Sequence, residues 1–284
     1  MPAAADRLSA TVAIYSDYVS DQTCTGTIIA PNVVVTAAHC FFDGQGGLLG
    51  DPAGYAAVWG VLDFQQATND NAYWASGLAV HQSYDHAPPI ALHETHDIAV
   101  LVLEQPIQGA PVAPVLPDGE FNPQAGQEII VSGYGDIDPD PNGVSAGVLY
   151  IASTPFAERG VTEFVAGGPG NPDTCQGDSG GPAYMYVGDT AYVVGATSRG
   201  EGCGNGGYYT ALGAYEGWLK EVTGNAFAGT TSSQAPSGGG DDDDGDDESS
   251  GCSVAGGGGD WQGVFLLLGI GVALRQARRA RATR

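Results

Sequence analysis

The sequence predicts an all-β, loop-rich fold, and three observations carry that prediction. Glycine is abundant, at 45 of 284 residues, while charged side chains make up only 15%. Apolar segments are short, rich in Val, Ile, Ala and Tyr, and bounded by Gly, Pro, Asn or Asp, which is the pattern of strands separated by turns. The densest run of small residues, Thr174-Cys175-Gln176-Gly177-Asp178-Ser179-Gly180-Gly181-Pro182, is a tight loop built around one serine.

Taken in order, Ala10 to Tyr15 makes the first strand. From 25 to 42 the pattern is a strand, a turn at Pro31-Asn32, the strand Val33-Val34-Val35 and a short helical turn carrying His39 and Cys40. Ala57 to Val61, Gly77 to His81 and Ile98 to Leu103 follow as short apolar strands. Prolines at 88, 89, 106, 111, 114 and 117 punctuate loops, and 105–125 joins one half of the protein to the other. Glu128 to Gly135, Val148 to Ser153, Ala183 to Val187, Ala191 to Thr197 and Gly207 to Thr210 continue the strands. Tyr215 to Val222 is a short terminal helix.

The serine loop has a chemical rationale. A serine hydroxyl is a weak nucleophile that needs a base and a place for the developing oxyanion. Glycines at 177, 180 and 181 let the backbone turn sharply, so that the amides of Gly177 and Ser179 can converge on one oxygen.

This loop resembles the nucleophile loop of the trypsin/chymotrypsin-like serine proteases. Thr36-Ala37-Ala38-His39-Cys40 resembles the family's histidine motif, and Asp97-Ile98-Ala99-Val100-Leu101 its aspartate motif. The order matches too: Asp97 lies 58 residues after His39, and Ser179 lies 82 after Asp97. The resemblance spans roughly residues 8–224. It implies two six-stranded antiparallel barrels and a short C-terminal helix. Ser179 would be the nucleophile, His39 the general base and acid, and Asp97 the orienting carboxylate. It implies Cys24–Cys40 and Cys175–Cys203 disulfides, hence an oxidising compartment. Asp173, six residues before Ser179, falls at the base of the primary pocket, with Ser198, Gly200 and Gly207 at its walls; that combination favours Lys or Arg side chains. Arg199 stands where the family usually has tryptophan, beside the substrate backbone; a charge in place of that apolar platform would disfavour basic residues further along the substrate. Asp178 pairs, in the family, with the N-terminal amine created by activation. Here an Ile-Val-Gly-Gly-like segment would fall at or before residue 1, so Met1 is read as an internal methionine; a protease needing no activating cleavage is the other possibility. The remaining histidines, His81, His86, His93 and His96, lack the Ala-Ala-His-Cys context and are read as surface or loop residues.

Charge and tail bound the partners. The chain has 33 acidic and 9 basic residues, which argues against nucleic acid. The domain spans 1–224. Residues 225–250, with the acidic run Asp241 to Glu248, form a disordered linker. In 251–284, Cys252 precedes an apolar helix over 261–274 and five arginines. That helix would span about 21 Å, short for a membrane core of about 30 Å. The segment resembles a protein-sorting signal of the myxobacterial kind, processed by a membrane peptidase near Gly-Cys, with a plain tail anchor as the alternative. Both place the domain outside the cell at a membrane. The function expected is an exported serine endopeptidase acting on proteins or peptides, as a monomer without metal or organic cofactor. The alternatives are a catalytically silent homologue serving as a binding module, and an esterase of another fold, which the motif order disfavours.

Overall fold

The computed structural model describes residues 10–19, 21–137 and 146–224. The 225–250 linker, Cys252, the 261–274 helix and residues 1–9 lie outside the described residues.

Among the described residues, twelve strands form two closed antiparallel barrels. The first is built from β1 (Thr11–Ser16), β2 (Asp21–Ala30), β3 (Val33–Thr36), β4 (Tyr55–Val58), β5 (Ala72–Val80) and β6 (Ala99–Leu103), in the order β1-β2-β3-β6-β5-β4. The second uses β7 (Glu128–Gly133), β8 (Tyr150–Arg159), β9 (Glu163–Ala166), β10 (Pro182–Val187), β11 (Thr190–Gly200) and β12 (Gly207–Ala211), in the order β10-β11-β12-β9-β8-β7. Closure leaves no long unpaired edge. Helix α1 (Glu216–Val222) ends the described chain and packs Leu219 into the first core beside Tyr215.

The cores follow from strand alternation and β-branched content. Val12, Ile14, Ile28, Val34, Tyr55, Val100 and Leu101 fill the first barrel. Ile129, Val131, Phe156, Phe164 and Tyr209 fill the second, with Phe164 stacked on Tyr209 at 5.1 Å. The barrels meet through a buried hydrogen bond between the Thr11 and Ser132 hydroxyls (2.7 Å) and through a bridge from Val115, in the connecting segment, to Val193.

Strand β9 does not appear among the elements the sequence predicts. Its second-barrel position holds a glutamate, Glu163, that is 1% exposed. A buried charge breaks the apolar alternation from which strands are read, and its partner lies far along the chain. Strand β8 also runs further than its apolar start, through Pro155 to Arg159.

Candidate active site

Strand register brings the first two groups together. β3 pairs with β6 so that Thr36 faces Ala99. The residues just after β3 and just before β6 therefore emerge at the same end of the barrel. After Ala37 a 3-10 turn, Ala38–Phe41, carries His39, and the Cys24–Cys40 disulfide holds that turn to β2. Asp97 is 3% exposed. Its Oδ1 accepts the backbone N–H of His39 (3.0 Å), and its Oδ2 accepts a hydrogen bond from His39 Nδ1–H (2.8 Å). Oδ2 also accepts from the Ser198 hydroxyl (2.6 Å) on β11, and the Asp97 carbonyl accepts from Thr210 Oγ1 (2.8 Å) on β12. The second barrel thus fixes the carboxylate that the first presents.

Opposed forces set the titration of this pair. Burial pulls the His39 imidazole down, but the charge of Asp97 and its hydrogen bond outweigh that and leave it above the ordinary histidine value. Burial pushes Asp97 up, but His39, together with hydrogen bonds from His39 and Ser198, holds it below the usual carboxylate range. With Nδ1 bonded to the carboxylate, Nε2 is the nitrogen left to exchange a proton.

The serine loop runs from Cys175 to Pro182 and is bound to β2. Thr25 N–H donates to the Ser179 carbonyl (2.8 Å), and Thr25 Oγ1 donates to the Gly177 carbonyl (2.8 Å). Gly180 N–H donates to the Thr197 carbonyl (2.7 Å), and the Cys175–Cys203 disulfide closes the loop's base. Because Thr25 directly follows Cys24, one strand holds both the histidine turn and the serine loop. Among the described residues no hydrogen bond links Ser179 Oγ to His39, a common state before substrate binds.

The sequence model of the trypsin family matches residues 3–219. A protein named trypsin from Saccharopolyspora erythraea is 34% identical over 218 residues, covering 70% of this chain and 86% of that relative. This chain belongs to the trypsin family. It is a serine-type endopeptidase, and both disulfides that the resemblance implied are present in the fold.

The other predicted site residues of this trypsin-family protease fall around the same loop. Asp173 is half-buried, and its carboxylate accepts from Gly206 N–H (2.7 Å), Thr174 N–H (2.7 Å) and the Tyr209 hydroxyl (3.3 Å). Burial nonetheless raises its pKa. At Gly207 an added Cβ would crowd the Tyr209 ring and hydroxyl (3.1 Å) and Asp173 Oδ1 (3.2 Å); at Gly200 it would lie 2.9 Å from the Gly206 carbonyl. Ser198, read from sequence as pocket wall, turns its hydroxyl to Asp97. Asp178 is buried, accepting Gly135 N–H (2.8 Å) and Cys175 N–H (2.9 Å), and faces a cleft of about 390 Å³ shared with Ser132, Asp136, Ile151 and Asp173.

Arg199 differs from the sequence expectation of a charge beside the substrate. Its guanidinium is paired with Glu163, at 2.6 and 2.9 Å. Of the extra histidines, His86 and His93 are exposed. His81 and His96 lie in the loop between β5 and β6 and stack on each other at 4.8 Å against Tyr215, with His96 Nδ1 3.0 Å from the Tyr215 hydroxyl. His96 thus points away from the Asp97 carboxylate, its backbone in the left-handed region (φ 51°). Cys24, His39 and Cys40 bring ligand atoms within 4.8 Å, but the disulfide consumes both sulfurs and leaves one nitrogen, which is no metal site. Sequence reading missed Thr25, Thr95, Glu163 and Thr210, whose roles arise only from long-range contacts; the adjacency of Thr25 to Cys24 was the one local signal.

Proposed function

We propose that this endopeptidase cleaves peptide bonds after Arg or Lys through a Ser179–His39–Asp97 triad and an acyl-enzyme. The observation that carries this reading is Asp97 gripping His39 at both its backbone N–H and Nδ1, at the mouth of the Ser179 loop. Ser179 Oγ attacks the scissile carbonyl as His39 Nε2 takes its proton. The amides of Gly177 and Ser179 receive the oxyanion, each donor being worth about 3 kcal/mol. His39 then returns the proton to the leaving amine, and water repeats the sequence to release the acid. Asp173 supplies the anion for a cationic side chain, and Gly200 and Gly207 leave room for its stem.

Three further assignments belong to this reading. Asp178 receives the N-terminal ammonium of an activated chain, supported by its burial with two amide donors and no cation bonded to it among the described residues. The two disulfides favour an exported protein. The 251–284 segment tethers or sorts it at a membrane, a reading that rests on its sequence.

The experiment uses chain preparations with and without an Ile-Val-Gly-Gly-type segment restored upstream of Met1, on matched peptide amides ending in Arg, Lys, Phe or Ala. Ser179→Ala should lose about 10⁶-fold in kcat while keeping the wild-type melting temperature. Hydrolysis retained in that variant would remove Ser179 from the mechanism. Cleavage after Phe or Ala instead of Arg and Lys would keep the triad and reject the role of Asp173.

A further inference from the structure

Glu163 is a buried carboxylate outside the triad with both of its oxygens bonded. It lies on β9 and is 1% exposed. Arg199 Nη1 and Nη2 grip its two oxygens, at 2.6 and 2.9 Å, from β11. The His93 N–H (3.0 Å) and the Thr95 hydroxyl donate to the same two oxygens from the 85–95 loop. Arg199 also donates to that loop, Nε to the Pro89 carbonyl (3.0 Å) and Nη2 to the Ala91 carbonyl (2.7 Å). Its guanidinium lies 4.5 Å from the centre of the Tyr208 ring on β12. Leu92 packs over Gly160, where an added Cβ would come within 3.4 Å. One ion pair therefore joins two strands of the second barrel to a loop that leaves the first.

The loop's position gives this pair a consequence for the reaction. At one end, Tyr84 and His86 line a cavity of about 660 Å³ together with His39, Phe42 and Asp43. At the other end, Thr95 is two residues from Asp97. Across from the loop, β11 loses its β10 partner after Ala196 while continuing to Gly200. Residues 198–200 thus present an open strand edge beginning at Ser198, the residue bonded to Asp97. An extended peptide can add to such an edge by main-chain hydrogen bonds.

We propose that Glu163 and Arg199 are positioning residues, whose buried ion pair fixes the 85–95 loop as the wall of the substrate cleft facing residues 198–200. The proposal rests on the peptidase reading above. A buried pair is a poor source of net stability, because desolvating both charges offsets their attraction. It is a strong source of conformational definition, because every donor and acceptor must be met at once. The pair also explains why a charge is tolerated where a substrate backbone would pass: the guanidinium is neutralised by Glu163 and its face is covered by Tyr208. The residues touch no reacting atom. Their effect should appear as a dependence on substrate length.

The test uses the full chain with its disulfides intact and three variants: Glu163→Gln, Arg199→Met, and the double variant. The double variant removes the buried unpaired charge that would otherwise confuse misfolding with loss of the latch. Two measurements are made. The first is hydrogen–deuterium exchange over 85–95, which does not depend on catalysis. The second is kcat and KM for an acyl-tetrapeptide amide and for a single-residue amide with the same primary residue and leaving group. Exchange over 85–95 should rise on the order of tenfold in all three variants while β2, β7 and β11 stay protected. The preference for the tetrapeptide should fall about tenfold, chiefly through KM, and should not recover in the double variant even where its melting temperature does. Unchanged exchange together with an unchanged preference would overturn the proposal, as would an equal loss on both substrates. A wild-type chain carrying the upstream Ile-Val-Gly-Gly-type segment that cleaves neither substrate would reject the peptidase reading instead, and exchange over 85–95 would then decide the latch on its own.

Discussion

A histidine held by a buried carboxylate must give up its proton before it can act as a base. Because Asp97 raises His39 above its ordinary value, activity should fall as pH drops through a pKa higher than that of a free histidine, about 6.5. The acid limb of kcat/KM against pH measures this directly. Asp97→Asn should move that limb down and lower kcat on the order of a hundredfold or more; an unmoved limb would detach Asp97 from His39. The linked stability terms have opposite signs. The raised His39 contributes stability that is fully present below its unfolded pKa and lost as pH rises through its folded one. The depressed Asp97 contributes stability present above its unfolded pKa and lost as pH falls through its folded one. Asp178 has the reverse problem. Burial, with repulsion from Asp136 and Asp173, pushes it up to about 6, although two amide donors oppose the shift. Its contribution is full below its unfolded pKa and lost as pH rises through about 6. The difference in melting temperature between wild type and Asp178→Asn should therefore turn against the wild type between about pH 4 and pH 7. Parallel melting curves would mean the carboxylate is already compensated. An N-terminal ammonium bound at Asp178 should abolish the difference.

At the scale of elements, the serine loop and the histidine turn are held to one strand at van der Waals distance. Gly180 has φ +77°, and a Cβ there would lie 1.9 Å from Thr36 Oγ1 and 2.6 Å from both Ala37 N and the Thr25 carbonyl. Two of those atoms are backbone and cannot rotate away. Gly180→Ala should cost about 3 kcal/mol or more, read from denaturant unfolding, and should lower kcat by displacing Ser179. A variant of wild-type stability would show that this packing is slack. This close approach was written in the Gly-Asp-Ser-Gly-Gly run as a need for bare backbone, but what fills the space was not. Eleven of the twelve strands carry local signatures: β-branched runs, alternation, or turn residues at their ends. The exception, β9, is the strand whose buried position holds Glu163. Its carboxylate can be buried because Arg199 meets it, and nothing within a strand's length of Glu163 announces that partner. The same holds for Arg199, which local sequence presents as an exposed charge.

At the scale of the whole molecule, the chain carries a formal charge of −24. Residues 1–224 hold most of it, with 25 acidic and 4 basic residues. Such a field concentrates cations near the surface and is screened over about 8 Å at physiological salt. For substrates ending in Arg or Lys, kcat/KM should fall as salt rises from about 0.01 to 0.5 M, while a neutral ester substrate should change little. Equal salt responses would show that the field does not reach the cleft. By itself the sequence determined the all-β class, the three motifs in their order and the need for glycine around Ser179. Each of these is a property of a short segment or of a spacing along the chain. Only the tertiary structure decided that Ser198 supports Asp97, that Thr25 and its neighbour Cys24 tie the serine loop and the histidine turn to one strand, and that Glu163 neutralises Arg199 beneath the 85–95 loop. Those contacts join residues 36 to 152 positions apart, and the free energy of a buried polar group depends on which partner the fold delivers to it.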